Sequence, residues 1–82
     1  MVEVEFTKEF SSIFLKIKED SMKSKIMKQL KKIKENPEIG KPMQHARKGT
    51  REVYVKPFRL SYAYHLRENV LYILDLYHKK RQ

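Results

Sequence analysis

The chain has no cysteine and no tryptophan, only two glycines and three prolines, and its 10 acidic residues are outnumbered by 19 lysines and arginines. Without cysteine there is no disulfide framework and no thiolate metal site, and nothing points to an oxidising compartment. No apolar run approaches the roughly 20 residues that span a bilayer. The opening residues MVEVEF have neither the basic stretch nor the apolar stretch of a signal peptide, so a soluble, cytoplasmic protein with no membrane partner is expected. The three histidines lack any paired spacing such as HxxxH, so no zinc site is read, and no cofactor is expected.

What is present is positive charge. A net charge of +9 over 82 residues favours a polyanionic partner: nucleic acid, an anionic membrane or an acidic protein. Residues 1–82 form one domain. A chain of this size buries only about 60–65% of its unfolded surface, so the core is thin and single, and a long internal cavity is unexpected.

The patterning predicts an α+β fold. An N-terminal strand and a two-helix hairpin come first, then a three-stranded antiparallel segment, with the helices packed on one face of a single small sheet. Val2, Val4 and Phe6 alternate with Glu3 and Glu5, the period of a half-buried strand. Thr7 is placed to cap a first helix running to about Glu19, whose apolar face is Phe10, Ile13, Phe14 and Ile17. Asp20 or Ser21 can cap the second helix, where Met22, Ile26, Leu30 and Ile33 form a stripe among six lysines before Asn36 and Pro37 end it. Four of the five glycines and prolines fall between Pro37 and Gly49. Glu38 to Gly49 is accordingly read as a basic connector without regular structure. Strands follow at Glu52 to Lys56, at Arg59 to Leu66 and at Val70 to Tyr77.

Two registers compete for the last hairpin. A three-residue loop of Arg67, Glu68 and Asn69, with Asn69 left-handed, pairs Leu66 with Val70. It sets Leu60, Tyr62, Tyr64 and Leu66 beside Leu76, Leu74, Tyr72 and Val70 on the helix-covered face, and is preferred for its cleaner core. A two-residue turn would set Arg59 opposite His78. In the preferred register His78 lies one residue past the pairing, where it can curl towards Arg59. Tyr54, Tyr62, Tyr64 and Tyr72 read as core and cross-strand packing, whereas Tyr77 at the sheet edge is expected to be free to stack.

The order of elements and three local strings resemble the RelE/ParE superfamily of toxins from type II toxin-antitoxin systems. The strings are Asn36-Pro37-Glu38-Ile39-Gly40-Lys41-Pro42; Arg51-Glu52-Val53-Tyr54-Val55 followed by Pro57-Phe58-Arg59-Leu60-Ser61-Tyr62; and Tyr77-His78-Lys79-Lys80-Arg81. The resemblance implies one of two activities. RelE-like and YoeB-like members cut mRNA on the ribosome; ParE-like members share the fold and act on DNA gyrase. A third possibility is a catalytically inactive, RNA-binding member of the fold.

For the metal-independent endoribonuclease, the resemblance places Arg59 at the family's catalytic arginine and His78 at its closing histidine, with Lys79 and Arg81 completing the catalytic set. Such cleavage needs a proton acceptor for the 2′-hydroxyl, cations for the phosphate and an acid for the leaving oxygen. A guanidinium can grip phosphate in a bidentate manner, and an imidazole titrates in the range suited to either proton role. Lys56, Lys80, Tyr77, Arg47 and Lys48 are the RNA-binding candidates. Met43 stands where YoeB-like members carry a Glu, and Lys79 where they carry a Tyr, which leaves His78, His45 or Glu52 as proton acceptor. Taken alone, Arg59 also fits a solvated residue or a partner of Asp75. The expected partners are a cognate acidic antitoxin, covering the Arg59 and His78 surface or displacing the C-terminal tail, and the ribosome with its mRNA.

Overall fold

The computed structural model describes residues 2–78. The strand β1 (Glu3–Phe6) leads into the helices α1 (Lys8–Lys16) and α2 (Asp20–Glu35). The strands β2 (Lys41–Pro42), β3 (Arg51–Val55), β4 (Phe58–His65) and β5 (Val70–His78) complete one sheet in the order β1-β5-β4-β3-β2. From β2 to β5 each strand runs antiparallel to the next, and β1 lies parallel to β5. Both helices cover one face, where Phe10, Ile26, Leu30 and Ile33 pack against Val55, Leu60, Tyr62, Leu71, Ile73 and Leu76. The expected α+β architecture is therefore observed, with one strand more than expected in the connector.

Thr7 joins three elements. Its side chain accepts a hydrogen bond from the Phe10 amide at 3.1 Å, capping α1, while its hydroxyl donates to the Leu74 carbonyl at 2.6 Å. Helix α1 ends earlier than expected, because Ile17 turns extended and lets the chain reverse into α2. Glu19 precedes the first turn of α2 without a side-chain cap, and Asp20 lies within that turn, where a carboxylate favours the helix dipole.

The connector is more ordered than the sequence suggests. Lys41 and Pro42 pair with Glu52 and Arg51 as a two-residue edge strand, a position that tolerates proline. Residues 43–50 then close on themselves. The Met43 amide donates to the Thr50 carbonyl at 3.0 Å, and the Thr50 hydroxyl donates to the Arg47 carbonyl at 2.7 Å around a 3-10 turn at His45–Arg47. The Lys56–Pro57 peptide between β3 and β4 is cis.

The last hairpin combines an expected half and an unexpected one. At the far end Leu60 faces Leu76 and Arg59 faces Tyr77, as in the three-residue register. Near the turn, Tyr62 faces Ile73 and His65 faces Val70, because Leu74 has no partner across the ladder and forms a bulge. One extra residue inverts every side chain beyond it. Leu71 and Ile73 are thus fully buried in the core, and Tyr72 and Val70 take the open face, reversing the expected assignment. The bulge is tied down by the Thr7 hydroxyl on the Leu74 carbonyl and the Thr7 amide on the Ile73 carbonyl. Asn69 adopts the expected left-handed conformation, with φ 55°. Tyr54, expected in the packing, is about half exposed, because it lies on the open face beyond the two residues of β3 that β2 covers.

Tyr62 anchors the connector to the core. Its buried hydroxyl donates to the Pro37 carbonyl and accepts from the Gly40 amide, both at 2.8 Å. Arg51 grips the same segment through the Glu38 and Gly40 carbonyls. Burial raises the Tyr62 pKa above its ordinary 10.0, because removal from water disfavours the phenolate. The folded state therefore holds this proton more tightly than the unfolded chain, and stability falls as pH rises from the ordinary value towards the raised one. Tyr62→Phe is expected to lower stability by about 1–3 kcal/mol at neutral pH, leaving the Gly40 amide unpaired. It should also flatten the loss above pH 10, as read from urea midpoints across pH 8 to 11.

Candidate functional site on the open face of the sheet

The face turned away from the helices carries Glu52 and Tyr54 from β3, Arg59, Ser61 and His65 from β4, and Tyr72, Asp75 and Tyr77 from β5, by the pairing of the ladders. Its centre is Glu52, whose residue is only 5% exposed. An acid buried in a chain of net charge +9 needs compensation, because an isolated buried carboxylate is costly. Two guanidiniums supply it. Arg47 Nη1 lies 2.8 Å from Glu52 Oε2, and Arg59 Nη1 lies 3.5 Å from Glu52 Oε1. The Tyr77 hydroxyl donates to the same Oε2 that Arg47 holds. Oε1 is buried and accepts no hydrogen bond among the described residues.

Arg47 arrives from the 43–50 loop, which reaches across the open face. Its guanidinium also lies over the Tyr77 ring, 4.9 Å from the centroid. The Tyr77 hydroxyl, and more weakly Glu52, raise the Arg47 pKa from its ordinary value, so its charge is permanent. Beside this cluster a cleft of about 370 Å³ is lined by Thr7, Glu9, Arg47, Ser61, Asp75 and Tyr77. A second, of about 380 Å³, lies against Lys41, Met43, Glu52, Tyr54 and Arg59.

Several sequence expectations change on this geometry. Tyr77 is not a free stacking surface: it is 6% exposed, because β5 continues past it and Arg47 covers its ring. His78 does not curl towards Arg59. It belongs to β5 opposite Phe58, with the two rings edge-on at 6.0 Å, and strand alternation places it on the other face from Arg59. Arg59 meets Glu52 rather than Asp75, whose carboxylate accepts from the Leu76 amide. Glu52, considered as a proton acceptor, is instead enclosed by Arg47, Arg59 and Tyr77. Lys48 and Lys56 are exposed, at the end of the loop and in the β3–β4 turn. Lys79, Lys80 and Arg81 lie outside the described residues. His45 is exposed in the 43–50 loop, and His65 packs edge-on against Tyr72 at 4.9 Å.

Each member of the Glu52 cluster is a candidate in the sequence, but their assembly around one buried carboxylate is not foreseen there. One signal was available: Glu52 alternates with Val53 and Val55 in β3, so its face is the one that pairing gives to Arg59.

No helix among the described residues is long and apolar enough to cross a membrane. No group of three or more histidine and acidic residues among them could hold a metal ion.

The chain is similar to E. coli RelE in the intact RelBE toxin-antitoxin complex, with a TM-score of 0.82 at 14% identity, covering 99% of this chain and 100% of that one. It is similar to the YoeB/ParE toxin from Agrobacterium tumefaciens at a TM-score of 0.85 and 14% identity, covering 94% and 98%. A metal-bound toxin from Helicobacter pylori is similar at a TM-score of 0.75 and 26% identity, covering 98% and 97%. No curated protein sequence matches the chain. The family model for the ParE toxin of type II toxin-antitoxin systems matches residues 4–82. The chain belongs to that family, within the RelE/ParE superfamily, and is a toxin of the RelE/ParE/YoeB type.

Proposed function

We propose that the protein arrests translation as a metal-independent endoribonuclease acting on mRNA at the ribosome, in the cytoplasm. The observation that supports this most is the gathering of Arg59 and Arg47 around one buried carboxylate on the open sheet face. Two guanidiniums held on the two oxygens of one carboxylate suit a phosphodiester, whose charge grows as the 2′-oxygen attacks phosphorus. Arg59 is the phosphate-gripping residue of this reading. Arg47, Lys48 and Lys56 extend the positive field, Lys79, Lys80 and Arg81 add to the positive charge of the sequence, and Tyr77 serves from beneath Arg47. His78 sits at the end of the β4–β5 ladder on the face opposite Arg59, so its part in this reading is a proton relay through water around the strand ends, taking the 2′-hydroxyl proton and returning one to the leaving 5′-oxygen.

A second reading is inhibition of DNA gyrase by binding. It is favoured by the family model matched, that of the ParE toxin, and by the placement of Arg59 and His78 on opposite faces. Primer-extension mapping on mRNA-programmed ribosomes separates the two. New cuts at the decoding site support the nuclease; growth arrest without cuts supports the gyrase reading.

The antitoxin partner is proposed to be an acidic chain with an amphipathic helix. An apolar groove of about 370 Å³ between the helices is lined by Phe6, Phe10, Phe14, Leu15, Met27 and Leu30. Leu15 is 77% exposed in it. The groove continues to Lys31 and Lys34, so an apolar stripe flanked by carboxylates finds both contacts. Leu15→Asp with Met27→Asp is expected to weaken binding of a purified acidic antitoxin at least tenfold, because each places a charge where an apolar contact formed. Cleavage should be unchanged, since the groove lies across the sheet from Arg59. Unaltered antitoxin affinity by calorimetry would remove the groove from the interface.

A further inference from the structure

We propose that Glu52 is the positioning residue of the phosphate-binding pair: it holds Arg59 from the sheet and Arg47 from the 43–50 loop at a fixed spacing, so that both grip one phosphodiester. This rests on the reading of the open face as a phosphate site. Each carboxylate oxygen takes a different arginine, Oε2 at 2.8 Å from Arg47 and Oε1 at 3.5 Å from Arg59. Tyr77 completes the clamp, with its hydroxyl on Oε2 and its ring under the Arg47 guanidinium.

The burial of Glu52 decides its role. At 5% exposure the carboxylate is enclosed beneath the guanidiniums, so it acts through them and not on substrate. Arg47, with a side chain 47% exposed, faces both the acid below and the solvent above. Its loop is closed by backbone and Thr50 contacts at its base, and the carboxylate fixes its reach across the sheet. A long arginine side chain otherwise samples many rotamers, and ordering both arginines into the reacting geometry costs rate rather than ground-state binding. A preset pair removes that ordering, and a misplacement of about 1 Å costs on the order of 10²-fold in rate.

The arrangement gives Glu52 a signature that a structural acid lacks. Glu52→Gln removes a negative charge from beneath two cations, so it strengthens the field on a bound phosphate while loosening the pair. Binding of a short single-stranded RNA by the purified protein is expected to be unchanged or tighter. Cleavage on programmed ribosomes, in single turnover, is expected to fall at least tenfold. Glu52→Asp keeps the charge and shortens the reach; its RNA affinity should stay within about twofold while cleavage falls in the same way. Loss of RNA affinity and of cleavage in parallel with lowered thermal stability would overturn the proposal.

A ribosome-free measurement keeps the proposal testable if the nuclease reading itself fails. In 15N spectra of the wild type, the side-chain Nε signals of Arg47 and Arg59 should move together on titration with the same RNA. In Glu52→Gln the two should no longer respond with a common affinity. Signals and responses identical to wild type would sink the positioning role, whatever the ribosome assay shows.

Discussion

Arg59→Ala is expected to abolish mRNA cleavage on programmed ribosomes, with a loss on the order of 10²–10³ in rate, the size seen when one preorganised donor to a developing anion is removed. Arg59 stands in the middle of the antiparallel ladders, opposite Tyr54 on one side and Tyr77 on the other. Its backbone is therefore fixed, and the substitution removes a side chain without moving a strand. Arg59→Lys should recover little, because an ammonium lacks the planar fork that grips two phosphate oxygens.

A stability effect accompanies this loss and must be separated from it. Without Arg59, the buried Glu52 carboxylate keeps Arg47 on Oε2 but loses the cation 3.5 Å from Oε1, which costs about 1–3 kcal/mol. The double variant Arg59→Ala with Glu52→Gln removes the buried charge that Arg59 had helped to compensate. It is expected to regain most of the stability in thermal unfolding and none of the cleavage. Recovered cleavage in the double variant would mean that Arg59 served folding alone. Undiminished toxicity in Arg59→Ala, with a folded protein and no cuts in the wild type, would favour the gyrase reading.

How far the sequence revealed this molecule depends on what sets each feature. The buried stripe of α2 was legible because Met22, Ile26, Leu30 and Ile33 repeat at helical spacing among lysines, and periodicity reports burial directly. The bulge at Leu74 was not, because Val70 to Leu74 is apolar at every position and has no alternation from which to read a face. Its register is set from outside, by Thr7 sixty-seven residues away. At the site, the resemblance singled out Arg59, while the partners that hold it stayed hidden. Arg47 reaches Glu52 only because β2 and the 43–50 loop fold back over the sheet, a tertiary event with no local pattern. Tyr77 looked like an edge residue for the same reason: its cover comes from that loop.

Gly40→Ala is expected to lower stability by about 2–5 kcal/mol, combining overpacking with loss of a buried hydrogen-bond pair. A Cβ at Gly40 would lie 2.6 Å from the Tyr62 hydroxyl oxygen, 2.8 Å from its Cε1 and 3.0 Å from the Glu52 carbonyl oxygen. Tyr62 is fully buried and cannot swing aside, so the connector must lift. Lifting breaks the Gly40 amide to Tyr62 bond and strains the one from Tyr62 to Pro37. The close approach to the Glu52 backbone carries the disturbance into the carboxylate that holds Arg47 and Arg59. In a small domain with a total stability of about 5–15 kcal/mol, such a loss is severe. Gly49→Ala is the control: nothing lies within 4 Å of its Cβ, and only its φ of +97° opposes a side chain, at a cost of about 1 kcal/mol. A double variant decides the mechanism. Tyr62→Phe deletes the oxygen nearest the new Cβ, so the loss in Gly40→Ala with Tyr62→Phe should be smaller than the sum of the two single losses by 0.5 kcal/mol or more. Additive urea midpoints would place the damage somewhere other than this contact.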